Sequence, residues 1–391
     1  MKHIAILCCL LSACTFTHSQ PISLNQGGPS TSKYYTELPY EMVNGKMFVQ
    51  VSIKGKQHKF LFDTGAPVAV SPKLLAELQL TEIHKGDFTD VTGATTSGSA
   101  VKLDSIKLGD VTFTGIPAIT LFPDWYNCFG IDGVIGSNIL RQSAVKLVSD
   151  KHLIIITDQP NKLVLNKKHS VPLITNANKN QQSDPQIKIL LNNKVSLTLG
   201  FDTGDNGFLR FSDDLMQQLA KYKSYDVASK GFGATTIGEI GLQASADKYL
   251  LKIPFINIGS ARFDNLVTET NKGGIPGIGT KLLDYGDVTL DFINGKFYFD
   301  AKNDANAPDN KQWPFQPTFA DGKLIVGLVW QKGMGKVKPG EQIMAVDGKD
   351  LSNLTLCQLM DGGPILGDKQ TAVVTLKATD GQERKLKIDK E

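Results

Sequence analysis

The chain has 391 residues, of which 41% are hydrophobic and 21% charged, and a formal net charge of +3. That length suits two or three domains with sizeable cores, and the composition is that of a globular protein rather than a fibrous or disordered one. No Lys/Arg block is interleaved with aromatics, which argues against a nucleic-acid surface, and the scattered lysines read as solvated loops and strand edges.

Met1-Lys2-His3 gives a short basic start, and Ile4 to Leu11 is an apolar run far too short to span a membrane. This is the pattern of an export signal. Leu11-Ser12-Ala13-Cys14 resembles the lipobox of bacterial lipoproteins, which implies cleavage before Cys14 and attachment of lipid to it. A plain secretory signal cut near Ser19 is the other reading. Thr15 rather than Asp follows the cysteine, and resemblance to enteric lipoproteins then implies release to the outer membrane. Residues 1–13 are thus expected to be a signal peptide. Residues 14–37 are expected to be a flexible tether, because Gln20 to Lys33 is polar and rich in Ser and Gly. The expected location is the cell envelope, in the periplasm or on the outer membrane. Beyond the signal region and Cys14, only Cys128 and Cys357 remain, and they fall in different predicted domains. They are expected as free or buried thiols. The six His are dispersed and no Cys/His cluster has zinc spacing, so neither metal nor cofactor is expected.

An internal repeat organises the next 265 residues or so. Leu38-Pro39 opens the first copy, Asn44-Gly45 reads as a hairpin turn, and Met47 to Lys54 alternates with the period of a strand. A short strand from Lys59 then delivers Phe62-Asp63-Thr64-Gly65-Ala66. The second copy opens at Val171-Pro172, turns at Asn192-Asn193 and delivers Phe201-Asp202-Thr203-Gly204-Asp205. Gly93-Ala94-Thr95-Thr96 begins 30 residues after Asp63, and Gly233-Ala234-Thr235-Thr236 begins 31 after Asp202. Both read as hairpin tips, where glycine permits positive φ and close approach to a ligand. Each copy returns through an apolar-Gly segment, Val134-Ile135-Gly136 and Gly277-Ile278-Gly279, then closes with a strand pair, 145–157 and 288–300. Pro72 to Leu80 and Ser212 to Tyr222 are the best helices. The reading is a mostly-β protein of two homologous lobes, 38–158 and 169–302, joined by a linker at 159–168.

Two Asp residues on rigid turns carry a recognisable chemistry. Carboxylates brought within hydrogen-bond distance share one proton. The ionised member acts as general base on a water lying between them, and the protonated member stabilises the oxyanion developing on an amide carbonyl. Gly65 and Gly204 allow tight loops whose N–H groups hold the carboxylates, and Thr64 and Thr203 are placed to hydrogen-bond across the lobe junction. These residues resemble the aspartic protease superfamily of retropepsins and pepsin-like enzymes, over about residues 38–302. The resemblance implies a bilobal β fold, a polypeptide substrate in the cleft and Asp63 and Asp202 as the dyad. It also implies that the paired Gly-Ala-Thr-Thr hairpins act as two flaps. Three departures stand out. Asp205 occupies a place where the family carries Ser, Thr or Ala, so that it either perturbs the dyad or turns outward to Arg210. The segment Gly277-Ile278-Gly279 is one residue short, and the family's flap Tyr is not evident. Asp205 and the shortened segment leave open a second reading, an inactive envelope protein that holds peptides in the same cleft.

After a polar linker at 303–318, residues 319–391 form a third unit. Strands at Lys323 to Trp330, Thr371 to Lys377 and Arg384 to Ile388 flank Lys338-Pro339-Gly340-Glu341-Gln342-Ile343, Val346-Asp347-Gly348 and a helix-like Leu354 to Met360. This order resembles a small α+β PDZ-like domain, which implies capture of a peptide by strand addition; the other reading is a unit that only packs against the lobes.

Overall fold

The computed structural model describes residues 23–391 apart from 90–93, 167–169, 176–181, 239–240, 309–310 and 368. The expected signal peptide, Cys14 and Gly93 lie outside the described residues. No described helix is long and apolar enough to cross a membrane.

Six antiparallel strands form a sheet shared by the two halves of the repeat. In spatial order they are Tyr35–Val43, Leu153–Thr157, Ala144–Val148, Gly286–Asp291, Lys296–Ala301 and Ser170–Thr175. Three come from each copy. They meet in the middle, where Ala144 lies opposite Asp291 and Leu147 opposite Val288. Alternation explains the register: Leu38 and Tyr40 are buried and Glu37, Pro39 and Glu41 exposed, so a one-residue slip would turn the apolar set to solvent.

Each lobe repeats one strand plan above this sheet. In lobe 1, Lys46–Ile53 pairs with Lys56–Phe62, and Thr95–Leu108 pairs with Val111–Ile119. In lobe 2 the equivalents are Pro185–Leu191 with Val195–Phe201, and Ala246–Ile258 with Ala261–Asn271. The lobe-1 strand that delivers Asp63 ends in Phe60-Leu61-Phe62, apolar and buried on both faces, whereas the lobe-2 strand Val195–Phe201 buries Leu197, Leu199 and Phe201 and exposes Ser196 and Thr198. Phe60 and Phe62 enter the main core, while Leu61 packs in a second cluster with Phe48, Ile119 and Val134. Helix Pro72–Leu78 is capped by the Ser71 side chain and helix Asp213–Ala220 by that of Ser212, close to the expected bounds.

Residues 315–391 have their own core, which includes Phe315, Leu324, Val326, Ile343, Val374 and Leu376. Strands Lys323–Trp330 and Thr371–Lys377 fall on the expected residues, and helix Leu356–Gly362 opens with a capping box at Thr355 and Gln358.

Four expectations are corrected. The tether is ordered from residue 23: Leu24 and Tyr34 are buried, Gly28–Pro29 pairs with Phe113 and Thr114, and a nine-residue strand starts at Tyr35. Polar composition hid two apolar anchors and a backbone whose partners lie in lobe 1. The linker before the third unit likewise contains structure, since Ala305–Asn306 pairs with Arg262 and Phe263, and strand Phe315–Ala320 begins inside it. Cys128 and Cys357 form a disulfide. They are 229 residues apart in sequence, but the turn Asp124–Phe129 of lobe 1 packs against helix Leu356–Gly362, which brings them together. Finally, Gly233-Ala234-Thr235-Thr236 is not a tip. Strand Asp226–Gly233 is continued by Ile237–Gly238, which pairs back with Gly241–Leu242.

That last segment is instead a seam with the third unit. Gly231, Phe232 and Gly233 pair antiparallel with Trp330, Val329 and Leu328. A Cβ on Gly231 would lie 2.6 Å from the Trp330 ring, and one on Gly233 only 1.9 Å from the Gly327 carbonyl oxygen. Gly233 also sits at φ +141°. Glycine is needed here so that one backbone can approach another.

Candidate active site

The two Asp-Thr-Gly loops are built identically. The apolar-Gly segment of each lobe runs parallel to the strand entering the loop, with Phe62 beside Ile135 and Phe201 beside Ile278. The Asp63 N–H donates to the Ile135 carbonyl at 2.9 Å, and the Asp202 N–H to the Ile278 carbonyl at 2.9 Å. The shorter second segment therefore loses its residue upstream and leaves the loop unchanged. On the far side, Ala66 O accepts from Ser137 N at 2.9 Å and Asp205 O from Thr280 N at 2.8 Å. A Cβ on Gly136 or Gly279 would lie within 2.5 Å of these loop backbones, so small residues hold that contact too.

The loops lock to each other through the threonines. Thr64 N donates to Thr203 Oγ1 at 3.0 Å, and Thr203 N donates to Thr64 Oγ1 at 3.1 Å. Each hydroxyl donates a hydrogen bond to the opposite strand: Thr64 Oγ1 to Phe201 O and Thr203 Oγ1 to Phe62 O, both at 2.8 Å. Both threonines are fully buried. Four hydrogen bonds thus relate the lobes by a near two-fold axis, and none of these buried polar groups is left unpaired.

Each carboxylate is oriented by its own loop and reaches across to the other. Gly65 N donates to Asp63 Oδ1 at 2.9 Å and Gly204 N to Asp202 Oδ1 at 2.8 Å, which orients each side chain. A Cβ on Gly65 would lie 2.5 Å from the Asp202 carboxyl carbon, and a Cβ on Gly204 would lie 2.2 Å from Asp63 Oδ2. Each carboxylate therefore rests directly against the glycine of the other motif. The glycines supply N–H donors and also leave the volume that the opposite carboxylate occupies.

A second pair of contacts obeys the same symmetry. Lys46 Nζ donates to Gly204 O, and Gln182 Nε2 donates to Gly65 O at 2.9 Å, so each lobe reaches the glycine of the other's Asp-Thr-Gly loop. Sequence reasoning passed over both. For Lys46 a signal existed, since it directly follows the Asn44-Gly45 turn; Gln182 had none. Asn138 was also given no role. Its amide, fully buried, accepts from Val68 N at 2.8 Å and donates to Leu24 O and Pro117 O, tying loop 1 to the ordered N-terminal segment.

Asp205 turns to Arg210. One oxygen pairs with Arg210 Nη1 and the other accepts from Gly207 N at 2.7 Å. The flap candidates divide. Thr95 and Thr96 pair with Thr89 and Phe88 in the first hairpin, beside Ala94. Ala234 N donates to Gly327 O at 3.0 Å, and Thr236 bonds to Asn271 and Gln243 within lobe 2. Trp125 Nε1 donates to Gly238 O at 3.3 Å, which joins lobe 1 to the end of the second hairpin. No group of three or more metal-binding side chains occurs among the described residues.

Comparison with known proteins gives a partial match. Residues 49–139 match the family model described as Aspartyl protease. No curated protein matches the chain. Among solved structures, an aspartic proteinase from Irpex lacteus is 11% identical, covers 69% of this chain and 99% of its own, and has a TM-score of 0.38. The basic 7S globulin from soybean is 12% identical, covers 68% of this chain and 95% of its own, with a TM-score of 0.39. A retropepsin-like aspartic protease from Rickettsia conorii is 18% identical and covers 32% of this chain and 92% of its own, with a TM-score of 0.24.

Proposed function

We propose that the chain is an aspartic endopeptidase, with Asp63 and Asp202 acting as one catalytic unit on a water held between them. The observation that carries this reading is the mutual seating of each carboxylate on the other motif's glycine. Two carboxylates so placed share a proton. The ionised one takes a proton from water as it attacks the scissile carbonyl, and the protonated one donates a hydrogen bond to the developing oxyanion. The proton then passes to the departing amine. The substrate is a polypeptide in the cleft between the lobes, with residues 94–96 among its surroundings.

Export to the cell envelope and lipid attachment at Cys14 belong to the same proposal. They are supported by the Leu11 to Cys14 pattern and by the Cys128–Cys357 disulfide, which suits an oxidising compartment. The third unit is proposed as a PDZ-like module that holds a substrate or partner peptide.

Asp63→Asn and Asp202→Asn test the reading. Each is expected to abolish cleavage of an unfolded protein at mildly acidic pH while the unfolding midpoint stays near that of the parent. Undiminished cleavage by either variant rules the dyad out. Peptide binding without turnover, equal in parent and variants from about pH 3 to 8, would favour the peptide-holding reading instead.

A further inference from the structure

Lobe 2 departs from the repeat by two charges placed beside the dyad. Each catalytic loop runs to a helix N-cap serine, Ser71 or Ser212. Eight residues separate Asp63 from Ser71, and ten separate Asp202 from Ser212. Strand register aligns the two paths. Ala69 stands opposite Val134, one residue before Ile135, and Arg210 stands opposite Gly277, one residue before Ile278. Arg210 therefore takes the place of Ala69, as Asp205 takes that of Ala66.

The guanidinium is held along its whole edge. Nε donates to Ile275 O at 3.1 Å, Nη1 pairs with Asp205, and Nη2 lies 3.8 Å from Asp202 Oδ2. Arg210 and Asp205 are mostly buried, so water screens these charges weakly. A third carboxylate alone would oppose the single ionisation the reaction needs. A guanidinium alone would favour loss of both protons, leaving none to donate to the carbonyl. Together the two fields oppose one another.

We infer that Arg210 is a positioning residue of the reaction, which neutralises Asp205 and so keeps the dyad in its one-proton form. The inference rests on the peptidase reading. Other charges nearby are the Lys46 ammonium on Gly204 O and, around Arg210, Glu269 opposite it on the neighbouring strand, Lys248 and Asp213. All of them are retained in the variants below.

The test is the pH dependence of kcat/KM on one unfolded protein substrate. Arg210→Gln is expected to move the acid limb up by about one pH unit and Asp205→Asn to move it down by a similar amount. The double variant should return the limb to within a few tenths of a unit of the parent, about 0.3. Arg210→Lys, which keeps the charge but not the fork, should hold the limb and lose kcat. A purely structural role lowers kcat in every variant without moving the limb, and that result overturns the inference. Shifts of the same sign in both single variants overturn it as well. Should Arg210→Gln not fold, the sign of the Asp205→Asn shift decides alone. A parent that cleaves nothing at any pH strikes the peptidase reading itself, and the inference falls with it.

Discussion

Thr203→Val probes the junction that holds the two carboxylates together. The variant keeps the shape of the side chain and removes its hydroxyl. Thr64 N–H then loses its acceptor at 3.0 Å, and Phe62 C=O loses its donor at 2.8 Å. Thr64, Phe62 and residue 203 are fully buried, so no solvent replaces either partner. Each buried polar group left unpaired costs roughly 1–3 kcal/mol. The two together should lower unfolding stability by about 2–6 kcal/mol, measured from the urea midpoint at unchanged slope. Thr203→Ser preserves both bonds and should cost less than about 1.5 kcal/mol. Peptidase activity should fall in Thr203→Val beyond the loss of folded protein, because a misplacement of about 1 Å at the dyad costs on the order of 100-fold. A Thr203→Val protein within about 0.5 kcal/mol of the parent would refute the claim that this exchange locks the lobes.

Gly204→Ala places a methyl 2.2 Å from Asp63 Oδ2, and it should cut kcat/KM by at least about 100-fold while circular dichroism shows an intact fold. Cys128→Ser, Cys357→Ser or reduction of the parent should each lower stability by up to about 4–5 kcal/mol, since the bond closes a loop of 229 residues. Limited proteolysis should then release the 315–391 unit faster than from the oxidised protein. Burial pushes the Glu341 carboxyl up, but the Arg384 side chain and the Lys338 N–H outweigh this and hold it below its ordinary value. A lowered folded-state value means stability that is fully present above the unfolded value of 4.5 and lost as pH falls through and below it. The stability gap between the parent and Glu341→Gln should therefore be widest near about pH 6 and shrink as pH falls below 4.5.

The repeat made most of the two lobes legible. Turns at Asn44-Gly45 and Asn192-Asn193, the apolar entries to Asp63 and Asp202, and the capping serines are local signals, and the structure uses them locally. The threonine exchange was also foreseeable, because a Thr next to each Asp can satisfy only the other loop if the lobes meet on a two-fold axis. What the sequence hid was long-range. Cys128 and Cys357 meet because a turn in lobe 1 packs on a helix of the third unit, and spacing carries no trace of that. Glycine commonly marks hairpin tips, but Gly233 instead admits the backbone of Gly327. Leu24 and Tyr34 were masked by polar neighbours. Arg210 was named only as a partner for Asp205, and its approach to Asp202 follows from the two-residue insertion seen once the lobes are aligned.

The most direct test of the central claim is a crystal structure with a non-cleavable peptide in which a hydroxyl-bearing carbon replaces the scissile carbonyl. The account predicts that hydroxyl on the two-fold axis, within about 3.2 Å of both the Asp63 and the Asp202 carboxylates. A peptide seated with its hydroxyl on one carboxylate alone, or bound away from both, would contradict it.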